Sequence, residues 1–155
     1  MTGVEVVEYR KEYKPYFIQF NTDWITDNFG HLEADDFRTF DAIDQMVEDG
    51  AMIYFAVESG EVLATCMTHW MEGDTWEMCK LASNKHVPHK GAGSAVFQAA
   101  MQYAIAHGAG RLFMISNSRL KPALHIYEKY GFQEVKLDDY EYERGDIAFE
   151  YVVPR

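Results

Sequence analysis

The chain has 155 residues, 48% of them apolar and 15% aromatic, and carries a formal net charge of −11. A chain of that length buries about two thirds of its unfolded surface, so a single domain over residues 1–155 with its own core is expected. The acidic balance argues against a nucleic-acid surface, which needs lysine and arginine to neutralise phosphates, and suits a cationic or amine ligand better.

No run of about eighteen apolar residues and no charged-then-apolar leader occurs, so no membrane association and a cytoplasmic location are expected. Cys66 and Cys79 are the two cysteines. Both fall in strand-like segments and read as buried free thiols rather than a disulfide.

Val4 to Tyr9 has the β-branched content of an opening strand. Lys11 to Asn28 spaces Tyr16, Phe17, Phe20, Trp24 and Ile25 as a helix does, and Asn28-Phe29-Gly30 stops it. A second helix is predicted from Glu33 to Glu48 on Phe37, Phe40, Ile43 and Met46, closed by Asp49-Gly50. Met52 to Val57 and Val62 to Met71, joined by Ser59-Gly60, read as an antiparallel hairpin. After the turn at Gly73-Asp74, Trp76 to Ser83 is a fourth strand that runs into the glycine-bearing turn His89-Lys90-Gly91-Ala92-Gly93-Ser94.

From Ser94 the residues Val96, Phe97, Ala100, Met101, Ala104 and Ile105 form one apolar helical stripe, ended by His107-Gly108-Ala109-Gly110. Arg111 to Ile115 is a short strand, Ser116 to Arg119 a polar bend, and Leu120 to Tyr130 a helix stopped by Gly131. Phe132 to Leu137 and Ile147 to Val153 supply a late strand pair. The order is β-α-α-β-β-β-α-β-α-β-β, a mixed α/β fold with antiparallel central strands and a crossover after the fourth.

A turn rich in free backbone amides that feeds a helix amino terminus concentrates donors and partial positive charge where an anion can sit. The turn before Ser94 therefore reads as a phosphate cradle. The later helix, Ala123-Leu124-His125-Ile126-Tyr127-Glu128-Lys129-Tyr130-Gly131-Phe132, carries a tyrosine toward it. His86 and His89 share the loop before the turn, but no cysteine nearby completes a ligand set, so no metal is expected.

These motifs and their order resemble the GNAT superfamily of acetyl-coenzyme A dependent N-acetyltransferases over essentially the whole chain. The resemblance implies a mostly antiparallel sheet of about seven strands flanked by four helices. The family's pyrophosphate turn, Gln/Arg-x-x-Gly-x-Gly/Ala, matches Pro88-His89-Lys90-Gly91-Ala92-Gly93, with Pro88 departing from the usual basic or amide residue. A register with Lys90 at the basic position and Gly93 and Ala95 following also fits. In both registers the amides from His89 to Ser94, Ala92 among them, hold the cofactor. Asn117 in the bend, together with Ala123, Tyr127 and Lys129 of the last helix, matches the family's second cofactor element.

By the same resemblance Tyr127 reaches the cofactor sulfur and donates a proton to it. Glu77 on the fourth strand is the general base, with a solvent-facing strand position or an ion pair to Lys80 as its structural alternatives. Backbone amides of Leu81, Ala82 and Ser83 polarise the thioester carbonyl. The first two helices wall the acceptor site, which makes Asn21, Trp24, His31, Glu33 and Asp36 candidate substrate contacts, with cap and core roles as the alternative. The expected activity is acetyl transfer from acetyl-coenzyme A to a primary amine of a small molecule or an exposed amino group, by direct attack. A coenzyme-A-binding sensor with little turnover is the competing reading. Tyr140 and Tyr142 beside the late strands offer an edge for a homodimer.

Overall fold

The computed structural model describes residues 3–137 and 145–154. The acidic run from Asp138 to Glu143, with Tyr140 and Tyr142, lies outside the described residues. In chain order the elements are β1 (Glu5–Glu8), a 3₁₀ turn (Lys11–Tyr13), α1 (Lys14–Phe29), α2 (Ala34–Glu48), β2 (Met52–Glu58), β3 (Glu61–Glu72) and β4 (Thr75–Ser83). There follow α3 (Ala92–Ala106), β5 (Arg111–Ser116), α4 (Lys121–Lys129), β6 (Gln133–Val135) and β7 (Ile147–Val152). Among the described residues no helix is long and apolar enough to cross a membrane.

The predicted first helix divides, because Pro15 lies in the first turn of α1 and starts it afresh after the 3₁₀ turn. α3 begins at Ala92 rather than Ser94. Gly91, at φ 97°, sets the left-handed corner from which the helix departs, so Ala92 and Gly93 are already inside it. β6 is shorter than predicted: Phe132 leaves the strand and packs in the core against Phe97.

One seven-stranded sheet runs in the order β1-β2-β3-β4-β5-β7-β6. Every neighbouring pair is antiparallel except β4 and β5, which α3 connects as a crossover. Strand alternation sends residues to opposite faces. Ile53, Phe55 and Met67 pack with Phe17, Phe20, Phe40 and Ile43 of α1 and α2. Ala56, Cys66 and Met78 pack on the other face with Val96, Phe97 and Ala100 of α3 and Tyr127 of α4. The two cores are thus separated by the sheet.

The parallel pairing of β4 with β5 is short. It runs only from Thr75↔Arg111 to Glu77↔Phe113, after which the strands part. On its other side β4 stays paired with β3 as far as Ser83, but with a bulge in which Lys80 and Leu81 stand opposite Cys66. Lys80 has φ 56°, a left-handed backbone that costs a non-glycine residue about 1 kcal/mol or more. A bulge bends and twists its strand, so this one turns the end of β4 away from β5.

Candidate active site

The parting of β4 from β5 opens a cleft that penetrates from one face of the sheet to the other. It encloses about 1070 Å³, its open mouth included. Cys66, Phe97, Met78 and Tyr127 line it from the α3/α4 side, and Met67, His69, Glu77, Cys79, Trp24 and Asp36 from the α1/α2 side. A second hollow, lined by Leu81, Ala82, Ser83, Gly93, Arg119, Pro122 and Ile126, continues it toward the start of α3. Trp24, Leu81, Leu120 and Ala123 belong to both.

Tyr127 stands on α4 with 5% of its surface exposed, held between Phe97 and Phe149 at ring separations of 5.4 Å. Burial pushes its pKa up, only partly offset by a hydrogen bond with the Ser116 side chain. The phenol is therefore protonated at neutral pH, a donor aimed from a fixed helix position.

Glu77 is equally enclosed, at 5% exposed. Its partner is His69 rather than Lys80: His69 Nε2 lies 2.8 Å from Glu77 Oε1, directly across the β3/β4 ladder. Burial would lower the pKa of His69, but the adjacent Cys79 sulfur and Glu77 carboxylate outweigh burial and hold it well above the ordinary histidine range.

Lys80 instead reaches Asp36 on α2, with Nζ 3.1 Å from Oδ1. Asp36 is fully buried, and its other oxygen accepts the Glu33 amide at 2.8 Å, capping α2. This pair ties the bulge of β4 to the second helix.

The glycine turn ends at Gly91, earlier than expected. Gly91 carries the positive φ, and the first-turn amides of α3 have no intrahelical acceptors by helix geometry. A Cβ at Gly93 would rest against Ile126 Cδ1 at 3.5 Å and Ser83 Oγ at 3.7 Å, ordinary van der Waals contact at the floor of the hollow. Lys129 Nζ donates to Ser94 Oγ at 3.0 Å, which sets a positive charge beside that helix start. Pro88 and Lys90 are exposed, while His89 turns inward to Glu58, with Nε2 3.4 Å from Oε2.

Asn117 lines the cleft and folds the bend, its Oδ1 accepting the Arg119 amide at 2.9 Å. Asp146 accepts from the Ser118 amide and hydroxyl at 2.8 and 2.7 Å, and these bonds hold its carboxyl below the usual range. Arg119 then spans to α1, its Nη1 donating to the Asn28 carbonyl at 3.4 Å with the guanidinium over Phe29.

Of the proposed acceptor residues, Trp24, Glu33 and Asp36 line the cleft. Asn21 is buried within α1 and orients Trp24, accepting its indole N–H at 3.0 Å while donating to the Phe17 carbonyl at 2.8 Å. His31 is exposed and lines neither hollow. Sequence reasoning missed His69, Ser116 and the Asp36–Lys80 pair, whose roles come from strand register and packing between elements rather than from a local motif.

A family model described as Acetyltransferase (GNAT) family matches residues 8–132. The chain belongs to the GNAT acetyltransferase family. No curated protein sequence matches it. A GNAT-family acetyltransferase from Staphylococcus aureus Mu50 superposes with a TM-score of 0.84 at 15% identity, covering 96% of this chain and 98% of that one. The PaiA N-acetyltransferase of Thermoplasma acidophilum, solved with coenzyme A, gives 0.75 at 13% identity over 98% and 100% of the two chains. YncA of Salmonella typhimurium, solved with acetyl-CoA, gives 0.78 at 12% over 97% and 94%. At such identities the likeness is one of fold. This GNAT protein shares the seven-stranded sheet and the four helices around it.

Proposed function

We propose that this GNAT protein transfers an acetyl group from acetyl-coenzyme A to a primary amine, carried on a small molecule or an exposed amino group. The observation that carries the reading is the β4/β5 opening, which sets Tyr127 on one face of the sheet and Glu77 on the other with a single cleft between them. Donor and acceptor can then meet inside the sheet from opposite sides.

Support for the cofactor comes from the positive-φ glycine at the start of α3, the adjacent Lys129 ammonium and the cofactors of the PaiA and YncA structures. The hollow beside Gly93 and the unpaired edge of β4 accommodate an extended chain ending in a phosphate group. Gly91, Gly93, Ser94 and Lys129 would hold that end, and Leu81, Ala82 and Ser83 the arm.

The amine nitrogen attacks the thioester carbonyl carbon, forming the C–N bond as the carbonyl electron pair moves onto oxygen. Amides at the end of β4 stabilise that oxyanion. Collapse breaks the C–S bond, Glu77 takes the proton from nitrogen, and the Tyr127 hydroxyl hydrogen-bonds the departing sulfur. A free thiol has a pKa of about 8.5 and a phenol about 10, and burial raises Tyr127 further, so Tyr127 works chiefly as a donor to the thiolate. Glu33, Asp35 and Asp36 line the acceptor end, with Asp36 paired to Lys80 and Asp35 to Arg38, so the amine meets an acidic rim already partly neutralised.

Calorimetric titration with acetyl-coenzyme A, followed by thiol release across a panel of amines, tests the reading. Micromolar binding with amine-dependent release is expected. Binding without release across the panel would sink the transferase reading in favour of a coenzyme-A sensor.

A further inference from the structure

His69, Glu77 and Cys79 are the one trio of His, Cys, Asp or Glu donors, among the described residues, whose ligand atoms all lie within 4.8 Å of one another. Spacing along the chain does not reveal this group, because it is made by strand pairing. His69 faces Glu77 across the β3/β4 ladder, and Cys79, two residues on, points to the same face. All three line the cleft at its acceptor end.

Two details suit them to a metal. The donor set of one imidazole, one carboxylate and one thiolate matches a borderline cation such as Zn²⁺ and not the all-oxygen preference of Ca²⁺ or Mg²⁺. His69 Nδ1 lies 3.0 Å from the Trp70 carbonyl. A hydrogen bond from the second ring nitrogen to a backbone carbonyl is what orients a ligating histidine, and it presents Nε2 to the group. Bond lengths of about 2.0–2.3 Å in a tetrahedral site separate ligand atoms by roughly 3.3–3.7 Å. To admit the ion the 2.8 Å His69–Glu77 contact would open by about 0.5 Å, and all three ligand atoms already start within 4.8 Å of one another.

We propose that His69 Nε2, the Glu77 carboxylate and Cys79 Sγ form a three-ligand Zn²⁺ site whose fourth position faces the cleft and takes water. Binding exchanges protons for metal: one leaves the Cys79 thiol and one leaves the His69–Glu77 hydrogen bond, with no change of oxidation state. Metal binding itself does not depend on the proposed acetyl transfer. Its consequence, inhibition by withdrawal of Glu77, does rest on that reading.

The test titrates the full chain, stripped with chelator, with Co²⁺ and follows thiolate-to-cobalt charge-transfer absorbance. One equivalent per chain is expected, displaced by Zn²⁺. Cys79→Ser should abolish the absorbance, and His69→Gln should weaken metal affinity by about 10–100-fold or more. A Zn²⁺-dependent rise in melting temperature, present in the wild type and absent in Cys79→Ser, guards against a variant that merely misfolds. No absorbance in the wild type, or undiminished absorbance in Cys79→Ser, would overturn the site. Charge-transfer absorbance without loss of amine acetylation would uphold the site and count against Glu77 as the base.

Discussion

The two sides of the cleft are built in different ways. On the proposed cofactor side, the glycine turn, the start of α3 and the Lys129 and Tyr130 contacts to Ser94 come from two short segments with their own local signals. On the proposed acceptor side, the charged side chains are placed by pairing that no local signal announces: Asp36 by Lys80 on a strand 44 residues on, and Glu77 by His69 across the β3/β4 ladder. Local turn chemistry can bind a common anion in many proteins. Recognition of one amine needs groups that only the finished fold brings together.

Glu77→Gln should separate the two sides most sharply. It should lower amine-dependent turnover by about 10²–10⁴-fold while calorimetric affinity for acetyl-coenzyme A stays within error. A matching loss of cofactor affinity would erase the division. Next in size, Asp36→Ala strands the Lys80 ammonium at the buried bulge and should cost about 3–5 kcal/mol of stability in denaturant melts. A shift well below that would mean that the bulge holds itself.

Tyr127→Phe keeps the aromatic packing with Phe97 and Phe149 and removes the hydroxyl. Turnover should fall by about 10–1,000-fold with unchanged coenzyme A binding, and undiminished turnover would remove the donor role. Gly93→Asp should weaken coenzyme A affinity by about 10-fold through an added negative charge, each kilocalorie or so of repulsion counting for several-fold. It is a cleaner probe than Gly91→Asp, since Gly91 lies at φ 97° and any side chain there also strains the backbone.

The smallest expected effect lies far from the cleft, at Asp44, whose carboxylate binds Tyr9 at 2.6 Å and Lys14 at 2.8 Å. These bonds, the Lys14 contact foremost, lower its pKa in the fold. A depressed carboxylate stabilises above its unfolded value, about 3.9, and that contribution is lost as pH falls through the folded value. The difference in melting temperature between wild type and Asp44→Asn should accordingly vanish in acid.

The element order, the crossover and the Tyr127 helix were legible because each announces itself locally, through periodicity, a stopping glycine or a turn dipeptide. The His69–Glu77 pair was not, for a physical reason. Counting back from the tight turn at Gly73-Asp74 pairs Glu77 with Trp70. A register shift between Trp70 and Glu72 moves the ladder by one residue and brings His69 opposite instead. Asp36 was legible as a helix cap, but its bond to Lys80 needs the left-handed bulge, and nothing in Cys79-Lys80-Leu81 signals one.

The early end of the β4/β5 ladder also bears on how the protein withstands heat. Among the described residues, from Met78 onward one edge of β4 has no strand beside it, so its peptide groups depend on solvent or on a bound chain. A ligand held there at about a hundredfold above its dissociation constant adds about 2.7 kcal/mol of stability. In a chain of this size that is a rise of about 5–10 °C in melting temperature. Among the described residues the sheet is in this sense left one strand short, and the proposed ligand would complete it.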